Sequence, residues 1–232
     1  MVAELKLLSG GAAHGLVNAL SSQFEQETGL RIDGTFDAVG SMAAKLRAGA
    51  PADVVILTSG LITALTEEGY VTGGSALAIG AVPTAVAVRA GDPAPAIAEA
   101  AGLRAALLRA DEIYFPDPQQ ATAGIHFAKV IRDLGIWDHV EPHLRTFPNG
   151  STAMRELAAA TSEHPIGCTQ VTEILNTPGV TVIGPLPPGH ELATVYTAAV
   201  ASRAASPDEA RRLVTMLASD AVHETRQRAG FA

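Results

Sequence analysis

The first seventy or so residues repeat one pattern: a short apolar run, a turn rich in Gly, Ser, Asp or Thr, and then apolar positions at helical spacing. A strand that hands over to a helix again and again constrains the fold strongly, because such units lay parallel strands side by side with helices packed on them. Leu5–Leu8 reads as the first strand and Ser9-Gly10-Gly11 as its turn. Leu16, Leu20 and Phe24 then mark the buried stripe of a helix over His14–Gln26, which Gly29 closes. Leu30–Phe36 is the second strand, and Gly40-Ser41 opens a helix through Leu46. Asp53–Leu57 is a third strand, apolar enough to be buried on both faces, and Thr58-Ser59-Gly60 starts the helix that stops near Gly69.

The pattern changes between about Ala76 and Arg89, where a long β-like stretch has no helix interposed; a chain with two lobes would cross between them here. Alternation then resumes with helix Ile97–Arg109, strand Ile113–Phe115, helix Ile125–Leu134, a strand near Arg145–Phe147, helix Ser151–Ala160 and strand Ile166–Thr169. After strand Val180–Ile183, the Pro/Gly-rich Gly184–Gly189 is the clearest linker signal. Thr194–Ala201 reads as a return strand, and Ser206-Pro207 caps a last helix expected to reach Arg228.

Aromatic residues are only 4% of the chain although 47% is hydrophobic, which favours packed helices on strands over a β-sandwich. A net charge of −8 without any Lys/Arg cluster argues against nucleic acid as a partner. It also means that an anionic ligand must be attracted by local donors against the field of the whole chain. The single Cys168 forms no internal disulfide, and no apolar run approaches the roughly 18–20 residues of a membrane span, so no membrane insertion is expected. Met1–Leu8 shows no basic region followed by a long apolar one; a cytoplasmic protein is the preferred reading, with a periplasmic protein trimmed of its leader as the alternative. No phosphate-binding loop, nucleophile elbow or dinucleotide fingerprint is present, and the histidines show no metal-ligand spacing, so neither a metal nor a cofactor is expected.

Several local motifs, in this order and spacing, resemble the periplasmic molybdate-binding protein family of bacterial ABC transporters. They are Thr28-Gly29, Ala48-Gly49-Ala50-Pro51-Ala52-Asp53-Val54, Pro116-Asp117-Pro118 with Ala123-Gly124, Leu134-Gly135-Ile136-Trp137 and Gly230-Phe231. The resemblance implies an α/β, two-lobed type II periplasmic-binding-protein fold with two crossover strands and an anion in an interdomain cleft that shuts by hinge closure. One lobe is placed at residues 1–81 plus 196–232, the other at 82–195. An ABC permease is implied as a partner only if the protein is exported.

The departures from the family carry as much information. Serine hydroxyls that hold molybdate fall here at Ala12 and Val39, a second-lobe tyrosine falls at Gln170, and an aromatic falls at His126. Ser9 and Ser41 lie close enough to substitute for the two serines. The expected ligand-binding set is Ser9, Gly10, Gly11, Gly40, Ser41, Thr58, Ser59, Thr122, Ala123, Gly124, His126, Gly150, Ser151, Thr169 and Gln170, most of them at helix starts whose N–H groups lack intrahelical partners. Each also has a plainer reading as a turn or a cap. Cys168 reads as a small buried apolar residue, and Glu173 as a helix cap or a partner for an Arg.

A planar carboxylate accepts readily from amides, whereas a tetrahedral oxyanion suits a tight hydroxyl shell. The leading expectation is therefore a binder of a small organic anion of the di- or tricarboxylate kind. One alternative is a cofactor-independent isomerase of an unsaturated tricarboxylate, similar to aconitate isomerase, with His126 or His14 as the base. Capture of molybdate or tungstate through Ser9 and Ser41 is the other. Whether binding is followed by chemistry stays open at this point.

Overall fold

The computed structural model describes residues 4–232. Met1–Ala3, which belong to the expectations for Met1–Leu8 and for a first lobe beginning at residue 1, lie outside the described residues. The chain divides into two compact units: unit 1 ends at Ala81 and resumes at Val195, and unit 2 runs from Val82 to Thr194.

In chain order the strands and helices are β1 (Glu4–Gly10), α1 (His14–Thr28), β2 (Arg31–Asp37), α2 (Val39–Arg47), β3 (Val54–Thr58), α3 (Ser59–Glu67) and β4 (Leu77–Arg89). They continue with α4 (Ala100–Arg109), β5 (Glu112–Pro116), α5 (Thr122–Asp133), α6 (Trp137–Val140), β6 (Leu144–Phe147), α7 (Gly150–Ala159), β7 (Pro165–Gln170), α8 (Val171–Leu175) and β8 (Val180–Pro185). The last are β9 (Ala193–Val200), α9 (Pro207–Ala218) and α10 (His223–Arg228). The unit boundaries fall inside β4 and β9, so these two strands carry the chain from one unit to the other.

In unit 1 the strand order is β2-β1-β3-β9, with β1, β2 and β3 parallel and β9 antiparallel to β3. Val54, Val55, Ile56 and Leu57 of β3 are all fully buried, because β3 lies between β1 and β9 and each of its faces is covered. Burial of such a run supplies about 1.5–3 kcal/mol per large aliphatic side chain, which is why this strand is so uniformly apolar. Gly29 ends α1 at φ 73°, a left-handed position that favours glycine. The buried Asp53 carboxylate accepts the N–H of Lys6 and of Ser206, tying β1 to the segment that opens α9.

In unit 2, β5 is parallel to β6 and β7, and β4 is antiparallel to β7 and β8. One face of this sheet packs Val86, Val88, Ile166 and Cys168 under Leu103 and Leu107 of α4 and Phe127, Ala128 and Ile131 of α5. The other packs Ala85, Ala87 and Tyr114 under Met154 and Leu157 of α7 and Ile174 of α8.

Four expectations need correction. The helix expected from Ile97 begins at Ala100, and α5 begins three residues before Ile125. The last helix does not run unbroken to Arg228: Ser219 takes an extended conformation and its hydroxyl accepts from Ala221, starting a short 3-10 turn before α10. Gly184–Gly189 is packed rather than loose, since Leu186 is buried in the core of unit 2 and its N–H donates to the Thr84 carbonyl.

Candidate functional site

The parallel strands of unit 1 end together. Gly10 pairs with Asp37 and Ser9 with Ile56, so Gly10, Gly11, Asp37 and Thr58 share the C-terminal edge from which α1, α2 and α3 depart. No side chain caps the helix starts at Ala13, Ala38 or Thr58. First-turn amides at such positions have no intrahelical acceptor and carry the positive end of the helix dipole. Gly11, Gly40, Ser41 and Thr58 are half-buried along this edge, and Ser59 is exposed.

Gly10 is confined: a Cβ there would lie 2.7 Å from Val39 Cγ1 and 3.1 Å from a ring carbon of Tyr196. Gly10 thus allows the β1 turn, α2 and β9 to approach one another. Ser9 offers nothing outward, being fully buried with its hydroxyl donating to the Gly10 carbonyl at 2.9 Å. Ala12 and Val39 are also buried. The Asp37 carboxylate accepts the N–H of Ala38, so one amide of the edge is engaged by the chain itself. His14 accepts from Asn18 Nδ2 at 3.0 Å and its ring lies against Phe36 at 4.4 Å.

In unit 2 the expected residues divide between the two faces of the sheet. On the α5 face lie Thr122, Ala123 and Gly124, which begin a helix with no side-chain cap, and Gln170 at the end of β7. Gly124 lets the α5 start sit on the carbonyls of Pro116 and Asp117, each 2.3 Å from where a Cβ would be. His126 Nε2 lies 2.7 Å from the His190 carbonyl; a carbonyl only accepts, so Nε2 carries the hydrogen. That bond fixes the loop 186–192 to α5.

On the opposite face lie Thr169, Gly150 and Ser151, and an internal carboxyl group already occupies them. The buried Glu173 carboxylate accepts from the Thr169 hydroxyl at 2.6 Å and from the backbone N–H groups of Gly150, Ser151 and Gln170. The bond to Gln170 N–H is the reach-back of a capping box at α8, and the bonds to Gly150 and Ser151 close the first turn of α7. Asn149 completes that turn by accepting from Thr152. Burial pushes the Glu173 carboxyl up to about 7, and the four donors restrain it from rising further. Gly150 and Ser151 thus spend their amides inside unit 2. Cys168 is wholly buried, with its thiol pushed up by burial, the state of an inert core residue.

Residues outside the expected set also meet at the α5 face. Thr84 pairs with Gln170 across β4 and β7, and Gln170 Nε2 lies 3.3 Å from Thr194 Oγ1. Thr84 is 1% and Gln170 3% exposed, and the Thr84 hydroxyl and the Gln170 Oε1 have no hydrogen-bond partner among the described residues.

Parallel strands ending in uncapped helix starts, in two units joined by two strands, define a type II binding protein. The sequence profile described as "Bacterial extracellular solute-binding protein" matches residues 5–232, and the chain belongs to that family. It is 25% identical over 230 residues to aconitate isomerase from Pseudomonas sp, covering 94% of this chain and 83% of that protein. It is 26% identical over 196 residues to the molybdate-binding protein ModA of Escherichia coli K12, covering 82% of this chain and 75% of the relative. The periplasmic molybdate-binding protein of Azotobacter vinelandii superposes with a TM-score of 0.81 at 19% identity, covering 98% of each chain. The resemblance read from the sequence therefore holds at the level of family and fold.

Proposed function

We propose that this protein binds a small organic anion bearing two or three carboxylates. The observation that carries the reading is the chemistry of the donors. Ala12 and Val39 are apolar and buried, the Ser9 hydroxyl donates to the Gly10 carbonyl, and what the edges present is chiefly backbone amide. Amides and a carboxamide match the planar, spaced oxygens of a polycarboxylate better than they match a compact tetrahedral ion. Delivery to an ABC permease is the partner role that an exported form would have.

Titration calorimetry with succinate, citrate, cis-aconitate and molybdate tests this. Binding of at least one carboxylate with molybdate weaker by tenfold or more is the expected result, a gap of about 1.4 kcal/mol. Tight binding of molybdate alone would overturn it.

A second reading, isomerisation of an unsaturated tricarboxylate, is favoured by the similarity to aconitate isomerase over 94% of this chain. His126 has its Nε2 bonded to His190, which leaves Nδ1 as the nitrogen able to take a proton. Proton NMR of cis-aconitate incubated with the protein should show the trans isomer accumulating if this holds, and its absence at high protein concentration removes the activity.

A further inference from the structure

We infer that a cavity at the start of β7, at the edge of the sheet opposite the open helix starts, binds a free α-amino acid with an aliphatic side chain. The inference goes beyond the polycarboxylate reading and does not rest on it.

The cavity has a volume of about 170 Å³ and lies wholly within unit 2. Val88 and Ile166 line it as a pair, where the end of β4 meets the start of β7; both are otherwise buried in the core. Ile166 and Gln170 are four residues apart on β7, roughly 13 Å at the rise of a strand. The cavity is therefore separate from the end of β7 and the start of α5. Protein interiors keep few voids larger than a water molecule, and an apolar cavity of about 150 Å³ already holds a benzene-sized guest. The space here exists because Ala106 and Ala110, at the end of α4, line it where longer side chains would fill it.

The walls are fixed without a ligand. The Arg89 guanidinium donates to the carbonyls of Ala160 and Ser162 and pairs with Asp92 at 3.0 Å, which ties the end of β4 to the segment before β7. His164 N–H donates to the Asp111 carboxylate, and Asp111 N–H donates to the His164 carbonyl. Pro93 and Pro95 line the cavity with φ angles held by their rings. A site shaped in advance gives up less conformational freedom on binding.

The charges around the cavity select its occupant. Arg109, Glu163 and Asp92 all line it. Arg109 and Glu163 have no hydrogen-bond or ion-pair partner among the described residues, so they do not pair with each other. Asp92 commits one carboxylate oxygen to Arg89, and its Oδ2 has no partner. A simple anion would be drawn by Arg109 and repelled by two carboxylates, and a simple cation would meet Arg109. A zwitterion answers both signs. Its carboxylate takes the Arg109 guanidinium in a bidentate pair, and its ammonium donates to Glu163, with Asp92 adding to the negative potential. An aliphatic side chain then covers Val88 and Ile166 and gains from leaving water.

The test titrates leucine, leucinamide and 4-methylpentanoate into the wild type and into Arg109→Gln, Glu163→Gln and Ala106→Leu, with the melting temperature of each variant measured without ligand. Leucine should bind the wild type with a Kd on the order of 0.1 mM. Leucinamide lacks the carboxylate and 4-methylpentanoate lacks the ammonium, and each should bind at least fivefold more weakly. Arg109→Gln should weaken leucine at least fivefold while leaving leucinamide unchanged, and Glu163→Gln should weaken leucine while leaving 4-methylpentanoate unchanged. Ala106→Leu fills the cavity and should abolish leucine binding. The two charge variants alter exposed side chains and should melt with the wild type, so they decide the matter even if Ala106→Leu is unstable. No saturable binding of leucine at millimolar concentration overturns the inference. Equal binding of leucine and either analogue overturns the zwitterion, and wild-type affinity in both charge variants places leucine elsewhere and overturns the site.

Discussion

Glu173→Ala should lower the stability of unit 2 by on the order of 4 kcal/mol, because the variant leaves three backbone N–H groups and one hydroxyl buried without an acceptor. Gly150, Ser151 and Gln170 lie on α7 and at the end of β7, so the loss should appear as faster exchange of those amides as well as a lower unfolding midpoint. Glu173→Gln keeps the shape but places an NH2 group among donors, and should fall between the two. The pH dependence adds a sign. Burial raises the folded-state pKa from 4.5 to about 7, so the folded protein favours the neutral acid. The contribution is complete below about pH 4.5 and is lost as pH rises through about 7, amounting to roughly 3 kcal/mol. Stability of the wild type relative to Glu173→Gln, measured by urea unfolding from pH 4.5 to 8, should fall across that window. A flat difference would show that Glu173 does not change its protonation there, and an alanine variant as stable as the wild type would remove the account of the buried carboxylate.

The same carboxylate shows where the sequence stops being legible. A glutamate three residues after the N-cap of a short helix reads as a cap, and Glu173 is one. Nothing local reveals that the carboxylate also closes α7, because Gly150 lies more than twenty residues earlier and is brought there by β7 and α7 packing together. Gly150 and Ser151 therefore look, in sequence, like any other open helix start. The repeated strand-to-helix units were legible because their signals are local: apolar runs of strand length, turn residues, and glycines such as Gly29 at helix ends.

Helix ends written by a single polar residue were harder. The break at Ser219 depends on one hydroxyl bonding two residues ahead, inside a stretch whose charges and apolar spacing both continue a helix. Thr84 and Thr194 escaped notice for a different reason. Threonine is common in strands, and only the pairing of β4 with β7 shows that Thr84 continues an apolar row and faces Gln170. Ser9 shows the reverse error, a hydroxyl at the expected place that the strand turns inward.

The start of α5 supplies the second large effect, since two glycines near helix starts should respond to the same substitution with opposite signs. Gly124→Ala would place a Cβ 2.3 Å from the carbonyl oxygens of both Pro116 and Asp117. These are backbone atoms at the end of β5 and in the loop that follows, so no side chain can swing aside, and α5 must lift from the sheet. Overpacking of this kind should cost about 3 kcal/mol. Gly60, in the first turn of α3, has nothing within 4 Å of its added Cβ. Gly60→Ala should therefore gain about 0.5 kcal/mol from reduced freedom of the unfolded chain and better helix propensity. Binding should separate the two further: lifting α5 withdraws the amides of Thr122, Ala123 and Gly124 from the Thr84–Gln170 corner, so folded Gly124→Ala should bind a carboxylate at least tenfold more weakly, about 1.4 kcal/mol. Denaturant unfolding and calorimetry on the two variants decide the matter. A Gly124→Ala protein as stable as Gly60→Ala would mean that α5 does not rest on the end of β5, and the placement of its amides beside Gln170 would lose its support.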